Sequence, residues 1–342
     1  MALFILSLFL AALLGFAAHR ASVCTVKAVA EVFSTRRAYM LLSFVKTILW
    51  ITAISVPLIW LLPATRATGQ GWGMSMYAVT GGFVFGMGAA VNRGCAFSTL
   101  SRLGDGQVGM LLTLAGFCLG VSGYVFLATS LVLPAREAVL SAYDTPTPWA
   151  LMLVAGLWVW IVWEAVRIWR AWPAELTWTE RVNFNVYRLS TAAALLGLSN
   201  GILYAVHGSW AYTSTLQHGV ARLMGAGPGT SALQWSLFAA LLTGMVFSSW
   251  QRGSFRLDWR PSLSWAQNLV GGLLMGLGAA MVPGGNDVLV LHSIPGLSPH
   301  ALPAYVAMIA GIAGVMGIMR VVRGEYMKVD CSGDICTIGG RT

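Results

Sequence analysis

The sequence predicts an all-α polytopic membrane protein, with about nine transmembrane helices in two inverted repeats and Gly-rich broken or re-entrant segments. Three observations predict this fold class. The 342 residues are 57% hydrophobic and only 10% charged, whereas a soluble domain carries about 25% charged residues. Apolar stretches long enough to span a bilayer recur along the chain. A pattern of glycines in the first half returns in the second half.

Nine apolar segments account for most of the chain, and most reach the roughly 17–25 residues that a spanning helix needs. The first has no basic residues before it, so we expect a retained span rather than a cleaved signal. The third and eighth are short and Gly-rich, and a broken helix there is tolerated where protein or a water-filled cavity covers the backbone. The segments are 2–18, 40–62, 76–92, 107–133, 149–171, 188–206, 232–250, 266–282 and 301–321.

The positions of the basic residues predict the orientation. Seventeen Lys and Arg lie in or beside the connections after odd-numbered segments, and Arg66, Arg136 and Arg222 lie on the other side. Because positive residues gather on the cytoplasmic side, we expect an outside N-terminus and a cytoplasmic C-terminus in a bacterial inner membrane. The lipid bilayer therefore explains the net charge of +9, and no nucleic-acid partner is needed.

The glycine pattern repeats at a constant offset of 190 residues, and this offset carries the first four segments onto the last four. Five segments separate each matching pair, and five is odd, so the two halves should sit upside down relative to each other. Inverted repeats are a transporter architecture, with the solute site near the midplane. The predicted units are a first repeat 1–135, a linking segment 136–187 with the fifth span, a second repeat 188–325 and a cytoplasmic tail 326–342.

The glycines themselves allow two interpretations. Small residues let helices pack closely in membranes. Alternatively, a Gly-rich break exposes backbone N–H groups that hydrogen-bond an anion. The second interpretation is favoured by polar turns that end each glycine run, at 92–95 in the first half and 283–287 in the second. Gly94, Gly284, Gly285 and Asn286 are therefore candidate substrate-binding residues.

Two cysteines occupy similar places, each in a short break after an odd-numbered segment. Cys24 follows the first segment, and the offset of 190 pairs it with Ser214; Cys95 follows the third. We expect Cys24, Cys95 and Ser214 to contact the solute, whereas Cys118 inside the fourth segment should only pack. Composition predicts no disulfide framework.

Cys331 and Cys336 lie in the polar tail, and a C-x4-C pair is not a usual zinc site. They are either incidental to the tail or thiols that receive cargo or bind a partner. Among the ionisable residues, Arg93, Lys27 and Asp287 are expected to contribute electrostatically to the site, although anchoring or local capping is the simpler role. His292, like Asp287, is an ionisable residue beside the second break and therefore a functional candidate, whereas His207 and His218 are weaker candidates for a proton-linked role.

The stretches "GFAAHRASVC", "GGFVFGMGAAVNRGCAFSTLSRLGDG" and "GGLLMGLGAAMVPGGND" resemble the YeeE/YedE family of sulfur-compound permeases, which includes thiosulfate uptake transporters. The resemblance covers about residues 10–320. It implies an inner-membrane permease with two opposed cavities, in which cysteines hand a sulfur anion along a narrow path by S–H hydrogen bonds. Carried over by position, the first two family cysteines are Cys24 and Cys95.

The third family cysteine falls on Gly285, with Gly284 and Asn286 matching its neighbours. The chain therefore lacks the third thiol, which leaves open whether the anion is thiosulfate or another sulfur or selenium species. If the missing thiol limits transport, Gly285→Cys should improve thiosulfate handling. The resemblance also leaves room for a cytoplasmic sulfur-carrier protein as partner.

Two alternatives to a permease remain open from the sequence. A membrane thiol redox protein would favour a C-x-x-C pair, and Cys24 and Cys95 belong to separate motifs instead. A non-transporting membrane scaffold needs no site at all. No metal site, P-loop or dinucleotide fingerprint occurs in a plausible context, so we expect a protein that is not an enzyme and needs no cofactor or metal.

Overall fold

The computed structural model describes residues 1–61, 71–131, 137–139, 143, 146–172, 180, 184, 186–227, 229–324 and 327–338. Of the basic residues used to predict orientation, Arg66, Arg136, Arg181 and Arg341 lie outside these described residues. The described part of the chain is almost entirely helical, with two short antiparallel strand pairs.

Within the described residues of the first half and the linking segment, seven helices have defined bounds. They are α1 (Ala2–Ala21), α2 (Thr25–Thr35), α3 (Tyr39–Leu61), α4 (Met76–Val91), α5 (Ala96–Gly104), α6 (Met110–Ser130) and α7 (Pro148–Ala171). The strands β1 (Gly71–Trp72) and β2 (Ala138–Val139) pair with each other, with Gly71 opposite Val139.

The second half repeats the order of the first. Its helices are α8 (Leu189–His207), α9 (Tyr212–Leu223), α10 (Ala232–Arg252), α11 (Leu263–Met281), α12 (Asn286–Val288), a π-helical turn (Leu289–Ser293) and α13 (Ala301–Arg323). The chain then forms a hairpin of β3 (Val329–Ser332) and β4 (Ile335–Ile338).

The predicted count of nine spanning helices is not confirmed. Within the described ranges, seven helical stretches are long and apolar enough to cross a membrane, and the bent pair Leu263–Met281 and Asn286–Ser293 makes an eighth if it is one span. The Gly-rich α4 has only 16 residues, about 24 Å at 1.5 Å per residue, which is shorter than a hydrocarbon core of about 30 Å. The polytopic all-helical fold class is confirmed.

Several helices of the first half pack against helices of the second half. Helix α4 packs against α13 and α11, and α11 packs against α6. In the same way α1 packs against α10 and α8, and α3 packs against α8. Each of these contacts between the halves therefore has a counterpart made by the matching helices.

The helical glycines lie at these crossings. A Cβ built on Gly82 would collide with the carbonyl oxygen of Ala304, and one on Gly272 would collide with that of Thr113. Gly88 and Gly271 face each other in the same way, with a Cβ at Gly88 lying 2.6 Å from the Gly271 oxygen. Close packing explains these glycines, so the solute-binding interpretation applies only to the breaks beyond them.

The C-terminal hairpin corrects one expectation. Cys331 and Cys336 are opposite each other on β3 and β4 and form a disulfide, although composition predicts no disulfide framework. Cys331 is fully buried, and Val329 N–H donates to Ser34 Oγ of α2 at 3.3 Å. Spacing in the sequence does not distinguish a pair brought together by a hairpin from two separate tail thiols.

Candidate functional site

Four short helices begin close together where longer helices break. The residues directly before α2, α5, α9 and α12 are Cys24, Cys95, Ala211 and Gly285, and each has extended backbone geometry. Glycine and polar residues end the preceding helices, since an apolar helix cannot continue through them cheaply. The helix N-termini carry unpaired N–H groups, which must find acceptors in the centre.

Cys24 and Cys95 meet at this centre. The backbone N–H of Cys95 donates to the Cys24 sulfur at 3.4 Å, and the two side chains interact with each other. The N–H of Lys27 also faces the Cys24 sulfur, and those of Thr25 and Ser98 face the Cys95 sulfur. Both thiols are free and fully buried, so each sulfur lies where N–H donors converge.

Asn286 joins this centre from the second half. Its side-chain oxygen accepts from the Ala96 N–H at 3.2 Å, and its amide nitrogen donates to Thr25 Oγ1 at 3.3 Å. Asn286 is fully buried. One side chain therefore ties the break of Cys24 to the break of Cys95.

The second-half break uses Thr213 rather than a thiol. The Gly285 N–H donates to Thr213 Oγ1 at 3.2 Å, and this bond matches the one from Cys95 N–H to the Cys24 sulfur. The contact counterpart of Cys24 is thus Thr213. Ser214, the residue that the offset of 190 selects, instead caps its own helix, since its hydroxyl exchanges hydrogen bonds with the backbone of Ala211.

Asp287 occupies the N-terminus of α9. Its carboxylate accepts from the Thr213 backbone N–H at 3.2 Å and from the Thr213 hydroxyl at 2.5 Å. Asp287 and Thr213 are both at most 1% exposed. A carboxylate at a helix N-terminus is electrostatically favourable, so Asp287 caps α9 and closes this side of the centre.

The two glycine breaks are stabilised differently. Gly94 N–H bonds back to Ala89 and Gly284 N–H to Ala279, at 3.0 and 2.9 Å. In the first break the Asn92 amide also donates to the Gly94 carbonyl at 3.0 Å and accepts from Thr113 at 2.8 Å. Val282 holds the matching position in the second half, so only the first break has this amide clamp.

The positive charges differ in which thiols they interact with. Lys27 interacts electrostatically with both Cys24 and Cys95, and its ammonium donates to the Ser22 carbonyl at 3.3 Å. Arg102 interacts with Cys24 and donates to the Asn92 carbonyl at 3.3 Å. Arg93 has a positive φ of 56° in the break and interacts with Arg102. Lys27 is therefore the predicted cation with a direct electrostatic link to both sulfurs.

The remaining candidates lie apart from the thiols. His207 hydrogen-bonds Ser7 at 2.7 Å, and His218 is exposed. His292 is buried, with its ring 5.1 Å from that of Tyr204 and its Nε2 against the Trp210 carbonyl. Cys118 is half-buried within α6.

A polar cluster holds the end of α1 against the turn after α5. Asp105 accepts from Ser249 at 2.7 Å and Ser254 at 2.8 Å and pairs with His19 at 3.1 Å. Burial alone would raise the pKa of Asp105, but the hydrogen bonds from His19, Ser249 and Ser254 hold that pKa below its ordinary value. The cluster anchors α1 just before the break that carries Cys24.

Sequence reasoning missed Thr25, Thr213 and Asn92 as members of the centre. The available signal was a polar residue in the first turn after each break, since Thr25 follows Cys24 directly and Thr213 precedes Ser214. In the described part of the chain, no group of three or more His, Cys, Asp or Glu side chains is arranged to hold a metal ion.

Comparison with known protein families gives a match over most of the chain. A family model described as sulphur transport matches residues 20–314, which include every break of the centre. No curated protein matches the chain.

Proposed function

Because the chain belongs to the sulphur transport family, also known as YeeE/YedE, we propose that it is a permease for a small sulfur-containing inorganic anion of the thiosulfate class. The family and the polytopic helical fold support a sulfur-compound transporter. The specific anion and the route through the thiols and glycine breaks are our proposal.

The observation that carries the proposal is the pair of buried thiols surrounded by N–H donors. Cys24 and Cys95 face four backbone N–H groups, and Lys27 adds a positive charge. A thiol is a weak hydrogen-bond donor, so it can contact an anion without holding it tightly, and transport requires binding that also permits release. The N-termini of broken helices supply the remaining favourable charge.

The centre must open for an anion to pass, because Cys24, Cys95 and Asn286 are fully buried. Asn286 bonds to both first-half breaks. A shift of α12 that breaks these bonds would free the Ala96 N–H and the Thr25 hydroxyl for the anion. Gly284 and Gly285 lie directly before α12 and let its backbone move without side-chain clashes.

We also propose that the chain crosses a bacterial inner membrane nine times and that residues 1–135 and 188–325 are inverted repeats. In this arrangement the N-terminus lies outside and the C-terminus lies in the cytoplasm. The exchanged pairing of α4 with α13 and α11 with α6 supports this arrangement. A cytoplasmic sulfur-carrier protein that takes the anion onward would be the partner at the C-terminal side.

Uptake of radiolabelled thiosulfate tests the proposal in cells that lack other thiosulfate uptake. Cys24→Ser and Cys95→Ser should each lower the initial rate at least tenfold, because a hydroxyl differs from a thiol in donor strength and hydration. Cys118→Ser is the matched control, with a packing cost of about 1 kcal/mol and near-parental uptake. Parental uptake by the double Cys24→Ala, Cys95→Ala variant would refute the thiol path. Sulfite and selenium oxyanions, used as competitors, identify the preferred anion.

A thiol redox protein is the second candidate, because the structure places Cys24 and Cys95 side by side. Their thiol content, trapped with N-ethylmaleimide before and after turnover and measured by mass spectrometry, separates the two functions. A permease leaves both thiols reduced throughout, whereas a redox protein accumulates a Cys24–Cys95 disulfide.

A further inference from the structure

A cavity of about 460 Å³ lies where the C-terminal hairpin meets α3, α7 and the start of α8. It shares no lining residue with the centre of Cys24 and Cys95. Its apolar wall comes from side chains such as Leu42 and Ile168. Its polar lining includes Lys46, Arg167, Arg188, Ser190 and Asp334.

The cations in this cavity are held by a buried carboxylate. Lys46 and Arg167 pair with Glu164, at 3.0 and 2.6 Å, and Glu164 is only 1% exposed. The same two cations donate to Ser190 Oγ at 2.7 and 2.9 Å. Arg188 adds a third positive charge to the lining, so the wall itself is basic even after Glu164 is counted.

Asp334 reaches this basic wall from the tip of the hairpin. Its carboxylate accepts from the Ser190 N–H at 3.1 Å and from the Ser190 hydroxyl at 2.8 Å. Its main-chain carbonyl accepts from the Leu189 N–H at 2.7 Å. Since Arg188 offers α8 no side-chain cap, a carboxylate 144 residues away along the chain caps this helix.

We propose that the cavity is a binding site for a tetrahedral oxyanion, such as a phosphate or sulfate group, and that Asp334 is its internal occupant. Backbone N–H groups at a helix N-terminus, a hydroxyl and guanidinium groups are the donors that bind such anions. This site is separate from the proposed sulfur-anion path. The disulfide between Cys331 and Cys336 closes the turn that carries Asp334, which keeps the carboxylate at a high effective concentration.

The test is isothermal titration of inorganic phosphate into the purified full-length protein in phosphatidylcholine nanodiscs. Asp334→Ala should lower the Kd about tenfold or more by removing the tethered competitor. Asp330→Ala in the same hairpin is the matched control and should leave the Kd unchanged. The double Cys331→Ser, Cys336→Ser variant retains Asp334 but loosens the turn, so it should give a smaller gain. Arg188→Gln should reverse the gain of Asp334→Ala.

Two measurements in nanodiscs that contain phosphatidylglycerol distinguish the source of the oxyanion. One repeats the phosphate titration, and the other measures which lipids copurify with the protein. A phosphate gain in phosphatidylcholine assigns the site to a free anion. If the Asp334→Ala protein is enriched in phosphatidylglycerol but does not bind free phosphate, the site is assigned to a lipid headgroup. The proposal is overturned if neither result is obtained, or if Asp330→Ala gives a gain equal to that of Asp334→Ala. The increase in phosphate affinity caused by Asp334→Ala should persist in a Cys24→Ser background. A failure of the oxyanion site can therefore be distinguished from a failure of the proposed permease function.

Discussion

At position 285 the lack of a side chain decides which groups meet at the second break. A Cβ on Gly285 would lie 2.5 Å from Asp287 Oδ1 and 2.9 Å from Thr213 Cγ2. The space that a third thiol would need is therefore filled by the hydrogen-bonded pair of Asp287 and Thr213. The structure thus argues against the expectation that a thiol here simply restores a relay.

We expect Gly285→Cys to lower thiosulfate uptake about tenfold, because it displaces a buried hydrogen-bonded pair. Adding Thr213→Ser removes the nearby methyl group and keeps the hydroxyl, so it should recover part of the loss. Gly314→Cys is the control, since nothing lies within 4 Å of a Cβ at Gly314. Initial uptake rates, normalised to the amount of protein in the membrane, measure the effect; faster uptake by Gly285→Cys would show that the missing thiol is limiting.

At the scale of helices, glycine sets how closely the two halves approach. A Cβ on Gly276 of α11 would collide with the Phe117 carbonyl of α6, whereas a Cβ on Gly123 of α6 meets nothing within 4 Å. The first substitution forces the backbones apart and the second does not. The effect of a Gly→Ala substitution on folding stability should therefore depend mainly on the packing of the helix pair at that position, rather than on intrinsic helix propensity.

Gly276→Ala is expected to destabilise the folded protein by about 1–3 kcal/mol through overpacking. Gly123→Ala should be neutral or slightly stabilising, because Ala favours a helix over Gly by about 1 kcal/mol. Thermal unfolding of both variants in the same detergent measures the difference. Equal unfolding temperatures would mean that α6 and α11 can separate at little cost.

At the scale of the whole molecule, the proposed orientation places the connections after α9 and α10 on opposite sides of the membrane. In a Cys118→Ser background, the exposed positions Ala226 and Leu257 can each be changed to Cys. In intact spheroplasts a membrane-impermeant maleimide should label Ala226→Cys and spare Leu257→Cys, because basic residues favour the cytoplasmic side. The reverse pattern would invert the orientation, and labelling of both would contradict the span between them.

Local properties of the sequence predicted the helices and breaks well. Hydropathy and glycine spacing act over one or two helical turns, so the fold class and the polar breaks at Cys24, Cys95 and Gly285 were readable from neighbouring residues. The resemblance to the sulfur-compound permeases is likewise confirmed by the family match over residues 20–314. The count of nine spans is not confirmed, and one physical reason is that α4 is short for a bilayer.

Only the tertiary structure decided which breaks meet and which polar groups fill them. Asn286 bonds to Thr25 across 261 residues of chain, and Thr213 rather than Ser214 accepts the Gly285 N–H. A constant offset identifies matching segments, but a difference of one residue in the length of a connection shifts the matching side chain by one position and so turns it elsewhere on the helix. The disulfide of Cys331 and Cys336 and the capping of α8 by Asp334 likewise depend on where the hairpin docks. Such contacts are set by packing between distant elements, which no local pattern records.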